Sequence, residues 1–144
     1  MKKSVLSLAL AVVFGTAAFA TTPVEGDKKE VNTETSVVAW KAYKVTGSHM
    51  GTVALKSGTL EFDGEKLVGG EFVVDMPTII TTDLEGDMKG KLEGHLKSDD
   101  FFGVEAHPTA SLKFTEVKAS GKNSYEVTGD LTIKGITKPI TFDV

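Results

Sequence analysis

The polar residues whose types and spacing could support chemistry lie in one short stretch, Ser98-Asp99-Asp100. Two neighbouring carboxylates can perform acid–base catalysis when one has a raised pKa and a reactive partner lies within reach. The same residues are also typical of a helix cap or turn, in which side-chain oxygens accept hydrogen bonds from free backbone N–H groups. The pattern favours the turn, and we predict no catalytic residue here.

The histidines and the lack of cysteine give no indication of a metal site or a nucleophile. His49, His95 and His107 are the three histidines of the chain, and their spacing matches no common metal-binding pair. The absence of cysteine excludes disulfides, thiolate nucleophiles and cysteine metal sites. The sequence also contains no glycine-rich phosphate loop and no serine in a nucleophile elbow. We therefore predict no metal site and no cofactor, although folding could still assemble the three histidines.

The N-terminus has the pattern of a secretory signal peptide. Lys2 and Lys3 precede an apolar run over residues 5–14 and a stretch of small residues that ends at Ala20. This pattern predicts cleavage after Ala20 and export to the periplasm. The apolar run is shorter than the roughly 20 residues needed to cross a bilayer. We expect residues 1–20 to be removed and the mature protein not to span a membrane.

Charge and composition describe one acidic domain. The chain has a formal net charge of −4, and loss of the signal peptide removes lysines but no acids, so nucleic acid is not an expected partner. Residues 21–34 are polar and charged, which predicts a flexible leader. Residues 35–144 then form a single domain of a size that supports one core.

Alternating apolar residues predict an all-β domain. Every second side chain is apolar in several segments, as expected for strands with one buried face. These segments are residues 36–45, 58–62, 67–76, 109–117, 124–133 and 138–144. Turns are predicted at residues 63–66, where Gly64 can adopt a positive φ, and at residues 120–123 and 134–135.

A different period appears between the third and fourth of these strands. Leucine or methionine recurs every fourth residue, as on one face of a helix, at Leu84, Met88, Leu92 and Leu96. Glycines at positions 86, 90 and 94 lie on another face and weaken a helix by about 1 kcal/mol each relative to alanine. We predict a short helical segment around residues 84–102 that covers one end of the sheet. It acts either as a mobile lid over a ligand mouth or as a plug that closes the core.

Alternation alone fits either a β-sandwich or a barrel. Three stretches, however, closely resemble the YceI-like family. The central one is residues 93–102 followed by His107-Pro108-Thr109-Ala110 and Phe114; Trp40, Gly47, His49 and Gly51 lie upstream, and residues 127–139 lie downstream. The resemblance covers residues 31–144. Its signature turn comprises His95, Leu96, Ser98, Asp100, Phe101 and Phe102.

The resemblance implies an antiparallel lipocalin-like β-barrel, eight-stranded in the family, in a periplasmic bacterial protein. It also implies an elongated apolar cavity for a polyisoprenoid or another long-chain amphiphile, and hence a binding or carrier protein rather than an enzyme. Members of the family usually continue beyond the strand that ends here at Val144. We therefore expect the C-terminal part of the barrel to be missing and the edge at residues 138–144 to be open.

Inward-facing strand residues are the candidates for the cavity wall. They are Trp40, Phe62, Phe72, Leu112, Phe114, Leu131 and Phe142. The same residues could equally fill a solid core, as in small eight-stranded barrels, and only the resemblance favours the cavity.

The expected ligand is an isoprenoid, a quinone or a fatty amphiphile. Because the chain contains no arginine, a diphosphate head group would depend on lysines, helix N-termini or backbone amides. A neutral or weakly polar head group fits better. The alternatives are a non-catalytic stress or interaction protein with a filled core, and a hydrolase on the same barrel. The sequence leaves the oligomeric state open, with a homodimer as one option.

Overall fold

A computed structural model describes residues 26–144. The predicted signal peptide and the first residues of the predicted leader lie outside this range. The described chain forms a 7-stranded sheet and one helix. The elements are β1 (Asp27–Glu30), β2 (Val38–Lys44), β3 (Gly47–Asp63), β4 (Lys66–Thr81), α1 (Gly86–Lys97), β5 (Thr109–Gly121), β6 (Ser124–Ile133) and β7 (Ile136–Asp143).

The strands form one antiparallel sheet in the order β1-β3-β4-β5-β6-β7, with β2 also paired to β3. β1 and β2 share one edge of β3: β1 pairs near its end, at residues 59–62, and β2 near its beginning, at residues 47–53. β7 pairs with β6. Among residues 26–144, no strand pairs with the other edge of β7. Over the same residues, no helix is long and apolar enough to cross a membrane.

The predicted all-β antiparallel fold is confirmed. β6 has the bounds predicted for it, and β3 and β4 form the predicted hairpin, with Gly64 at a φ of 61°. The charged side chains that alternate with the apolar ones lie on one face of the sheet, because Glu71 lies opposite Lys113 and Lys113 lies opposite Asp130. The apolar side chains therefore face the interior.

Two elements differ from the prediction. Asp27–Glu30 lie in the segment predicted to be a flexible leader, yet they form strand β1. Backbone pairing with β3 and an ion pair between Lys28 and Glu61 at 3.5 Å hold them there, and neither interaction produces an apolar pattern. β3 begins at Gly47 rather than at residue 58. Its first half has a weak pattern because a glycine, Gly51, occupies an inward position opposite Trp40.

The helix α1 is unbroken but shorter than the predicted segment. It begins at Gly86 and ends at Lys97, and Ser98 caps its C-terminus: the Ser98 N–H donates to the carbonyl of Gly94, and the hydroxyl donates to that of His95 at 2.8 Å. Leu96 is buried against Val53 and Ile79. The helix therefore covers one end of the sheet, as predicted.

Candidate functional site

An apolar cavity of about 470 Å³ lies between the inner face of the sheet and the segment formed by α1 and its following turn. Its volume is within the range of about 300–1,000 Å³ that is usual for small-molecule sites. All the residues that line it are apolar except Lys41 and Ser111. The apolar ones are Val38, Trp40, Ala42, Val53, Leu55, Phe72, Val74, Met76, Ile79, Leu96, Phe101, Phe102, Ala110, Leu112, Leu131 and Ile133.

The cavity exists because the sheet curls. Trp40 on β2 and Ile133 on β6 line the same space, although several strands separate β2 from β6 in the sheet order. A flat sheet would hold these side chains far apart, since neighbouring strands are spaced by about 4.8 Å. The curvature therefore converts one face of the sheet into the wall of a barrel-like interior.

Trp40 is held against this wall by two contacts. Its indole N–H donates to the carbonyl oxygen of Ile80 at 3.2 Å. Its ring also lies on Gly51: a Cβ at Gly51 would come within 2.6 Å of a ring atom and would overlap the Ile80 oxygen. The packing of Trp40 in the cavity wall therefore requires a glycine at position 51.

The cavity-wall residues predicted from the sequence divide into two groups. Trp40, Phe72, Leu112 and Leu131 line the cavity, whereas Phe62, Phe114 and Phe142 do not. The ring of Phe114 lies 5.8 Å from that of Phe72 and 5.8 Å from that of Phe142, and Lys29 lies over the ring of Phe62. Phe114 and Phe142 therefore pack beside Phe72 without lining the cavity.

Only some residues of the signature turn line the cavity. Leu96, Phe101 and Phe102 line the cavity, and the rings of the two phenylalanines are 4.7 Å apart. His95, Ser98 and Asp100 do not line it. Backbone bonds fold the turn back on itself: the Gly103 N–H donates to the Ser98 carbonyl at 2.8 Å. Ser98 therefore helps to form a turn from which two aromatic rings extend into the cavity.

Several lining residues are absent from the sequence-based set. Val74 and Met76 share the parity of Phe72 on β4 and could have been found by extending that alternation. Ile79 could not, because it has the opposite parity to Met76. Register irregularities between β3 and β4 after Asp75 bring it inward, where it is 3% exposed.

A polar network lies beside the cavity and joins the β2–β3 hairpin to the loop before α1. The hydroxyl of the buried Thr81 lies 2.6 Å from the Asp83 carboxylate, and Nδ1 of His49 lies 2.9 Å from the same carboxylate. The hydrogen bond from Thr81, followed by that from His49, holds the pKa of Asp83 well below its ordinary value. The Thr81 N–H donates to Glu93 of α1 at 2.9 Å. This network fixes the position of the helix relative to the hairpin.

The histidines occupy three separate places. His49 contacts Asp83, His95 packs against Phe101 with ring centroids 5.8 Å apart, and His107 lies beside Gly135. Within residues 26–144, no group of three or more His, Cys, Asp or Glu side chains is placed to hold a metal ion.

The curled antiparallel sheet and its apolar interior define the protein as a lipocalin-like β-barrel protein. The chain belongs to the YceI-like domain family, whose model matches residues 29–144.

Relatives and a solved structure are similar to this chain. A UPF0312 protein of Pseudomonas putida strain W619 is 30% identical over 99% of this chain and 71% of its own length. A UPF0312 protein of Azotobacter vinelandii strain DJ is 31% identical over 62% of this chain, and the match spans only 45% of that relative. The crystal structure of Burkholderia cenocepacia BcnA matches with a TM-score of 0.66 and 25% identity, over 79% of this chain and 69% of that chain.

Proposed function

We propose that the protein binds a long-chain amphiphile, an isoprenoid, a quinone or a fatty amphiphile, with its apolar chain in the cavity. The observation that carries this proposal is the composition of the cavity wall, in which all the lining residues within 26–144 are apolar except Lys41 and Ser111. Burial of an apolar chain against such a wall contributes roughly 25 cal/mol per Å² removed from water. The predicted signal peptide supports the periplasm as the compartment in which the protein carries or stores this ligand.

The size and composition of the cavity suit an apolar chain rather than a large polar ligand. Its volume of about 470 Å³ is usual for a small-molecule site. The absence of arginine favours a neutral or weakly polar head group.

The side chains of the cavity support binding rather than catalysis. General acid–base or nucleophilic chemistry needs a titratable group within hydrogen-bond reach of the reacting atom. No histidine or carboxylate is among the described residues that line the cavity. Asp99 and Asp100 are exposed in the turn after α1, and the Lys134 ammonium donates to the main-chain oxygen of Asp99.

A matched pair of substitutions on β2 tests the proposal. Ala42 lines the cavity, whereas Ala39 lies on the opposite face of the strand, and both are exposed. Ala42→Trp should fill the cavity and lower the amount of bound lipid several-fold, while Ala39→Trp should leave it unchanged. Native mass spectrometry of the protein purified from a bacterial periplasm, followed by solvent extraction, measures both. Recovery of wild-type protein without lipid and without affinity for any long-chain probe would refute the proposal.

A further inference from the structure

An exposed apolar surface lies on the outer face of the β2–β3 hairpin. Tyr43 is 78% exposed, Val45 is fully exposed, Met50 is 44% exposed and Ile80 on the adjacent strand is 39% exposed. The strand register brings Tyr43, Met50 and Ile80 to neighbouring positions, since Lys41 lies opposite Met50 and Thr52 lies opposite Ile80. Val45 lies in the turn that follows β2. We call these four residues the hairpin patch.

Two lysines, Lys41 and Lys44, flank the hairpin patch in an otherwise acidic protein. The chain has a net charge of −4, yet residues 36–60 contain lysines and no aspartate or glutamate. Lys41 lies over the ring of Tyr43 at 5.2 Å, and Lys44 follows directly. Asp83 accepts a hydrogen bond from the Met50 N–H and contacts His49, and Asp75 lies opposite Ala54. Within the described residues neither Lys41 nor Lys44 forms an ion pair, so both remain available to an anionic partner.

The β2–β3 hairpin contributes both to the hairpin patch and to the cavity wall. Trp40 and Ala42 point into the cavity, whereas Tyr43 points to the outside. A surface bound by the patch would thus lie next to one wall of the cavity.

We propose that the hairpin patch docks the protein onto an anionic phospholipid surface. An exposed tyrosine and aliphatic side chains flanked by lysines form the combination that partitions into a membrane interface, where aromatic rings sit among the head groups and each lysine adds electrostatic attraction. Docking would bring the cavity to the source of its ligand. This last step rests on the proposed function, but the docking itself does not.

Charge favours a lipid surface over a second copy of the chain. In a two-fold dimer the same patch meets itself, so Lys41 and Lys44 of one protomer would face those of the other. Residues 36–60, which include both lysines, contain no acid to pair with them. Anionic head groups neutralise the same lysines without this repulsion.

Vesicle flotation tests the docking. The mature protein should float with vesicles of phosphatidylglycerol and phosphatidylcholine, not with pure phosphatidylcholine, and added salt should weaken the binding. Tyr43→Ser with Val45→Ser, and separately Lys44→Glu, should each lower binding at least about fivefold. The matched control is Val68→Ser with Lys122→Glu, which lie at the opposite end of the sheet and should bind like wild type.

The outcomes separate docking from cavity binding. Equal flotation of the wild type, the patch variants and the control would overturn the docking proposal. So would failure of the wild type to float, including the case in which it forms a concentration-dependent dimer that the patch variants abolish. Native mass spectrometry of the same preparations reports lipid in the cavity. Wild-type protein that lacks lipid but floats would refute the proposed function and retain the docking.

Discussion

Glycines beneath aromatic rings determine how the interior is packed. A Cβ at Gly58 would lie 2.9 Å from the ring of Phe72, and a Cβ at Gly70 would lie 2.8 Å from the ring of Phe114. Gly51 lies beneath Trp40 in the same manner. Without side chains at these positions, large rings on neighbouring strands can lie flat against the sheet. The narrow interior thus accommodates several aromatic residues.

Gly51→Ala tests this packing most directly. The added methyl group would overlap the Ile80 carbonyl and press on the Trp40 ring, so the backbone must shift. We expect the free energy of unfolding to fall by about 1–3 kcal/mol, measured by urea denaturation. Gly121→Ala is the control, because its Cβ would meet Ser124 at an ordinary 3.6 Å. Equal stability of the two variants would contradict the packing argument.

The strands show which structural information the sequence contains. β6 was predicted with its observed bounds because Val127, Leu131 and Ile133 alternate with polar residues. The first half of β3 was missed because Gly51 replaces an apolar residue at an inward position. β1 was missed because its charged side chains are held by backbone pairing, which leaves no hydrophobic pattern. Alternation identifies strands that bury side chains and overlooks those that bury only backbone.

The wall of the cavity follows from the sequence less completely than the fold does, for a related reason. Alternation selects Phe72 on β4 and Phe114 on β5 alike, and their rings are in contact, but only Phe72 lines the cavity. Which inward residues line the cavity depends on the curvature of the sheet and on the position of α1. Neither quantity is encoded in local alternation.

The helix α1 offers a prediction about its own stability. Gly90 is in the helix interior, and an added Cβ would have no neighbour within 4 Å. Gly90→Ala should therefore raise the free energy of unfolding by up to about 1 kcal/mol, since alanine favours the helix over glycine. Urea denaturation measures the gain, and hydrogen exchange of the α1 amides shows whether it is local. A less stable variant would mean that the glycine serves another purpose.

That same variant distinguishes the two roles predicted for the helix. If α1 is a mobile lid, a stiffer helix should slow the exchange of a bound long-chain probe without changing its capacity. If α1 is a plug, exchange should not change.

At the scale of the whole molecule, the cavity wall and the aromatic cluster are formed by largely different residues. The end covered by α1 surrounds the cavity, and beyond the cavity Phe114 and Phe142 pack in a row against Phe72. Stability and binding capacity are therefore expected to respond to different substitutions.

Phe114→Leu tests this division. Loss of ring contacts with Phe72 and Phe142 should lower the free energy of unfolding by about 1 kcal/mol or more. The lipid content in native mass spectrometry should stay at the wild-type level, because Phe114 does not line the cavity. Ala42→Trp should show the opposite pattern. A parallel loss of stability and lipid in Phe114→Leu would contradict the separation.

Trp40 is the single tryptophan of the chain. It lies in the cavity wall, where its indole nitrogen is 3.2 Å from the carbonyl oxygen of Ile80. The molecule therefore contains an intrinsic optical reporter at the place where a ligand would lie. Its emission should move to shorter wavelengths when an apolar chain displaces water, and a quinone ring should quench it. Loading, release and unfolding can thus be followed in real time without attaching a dye.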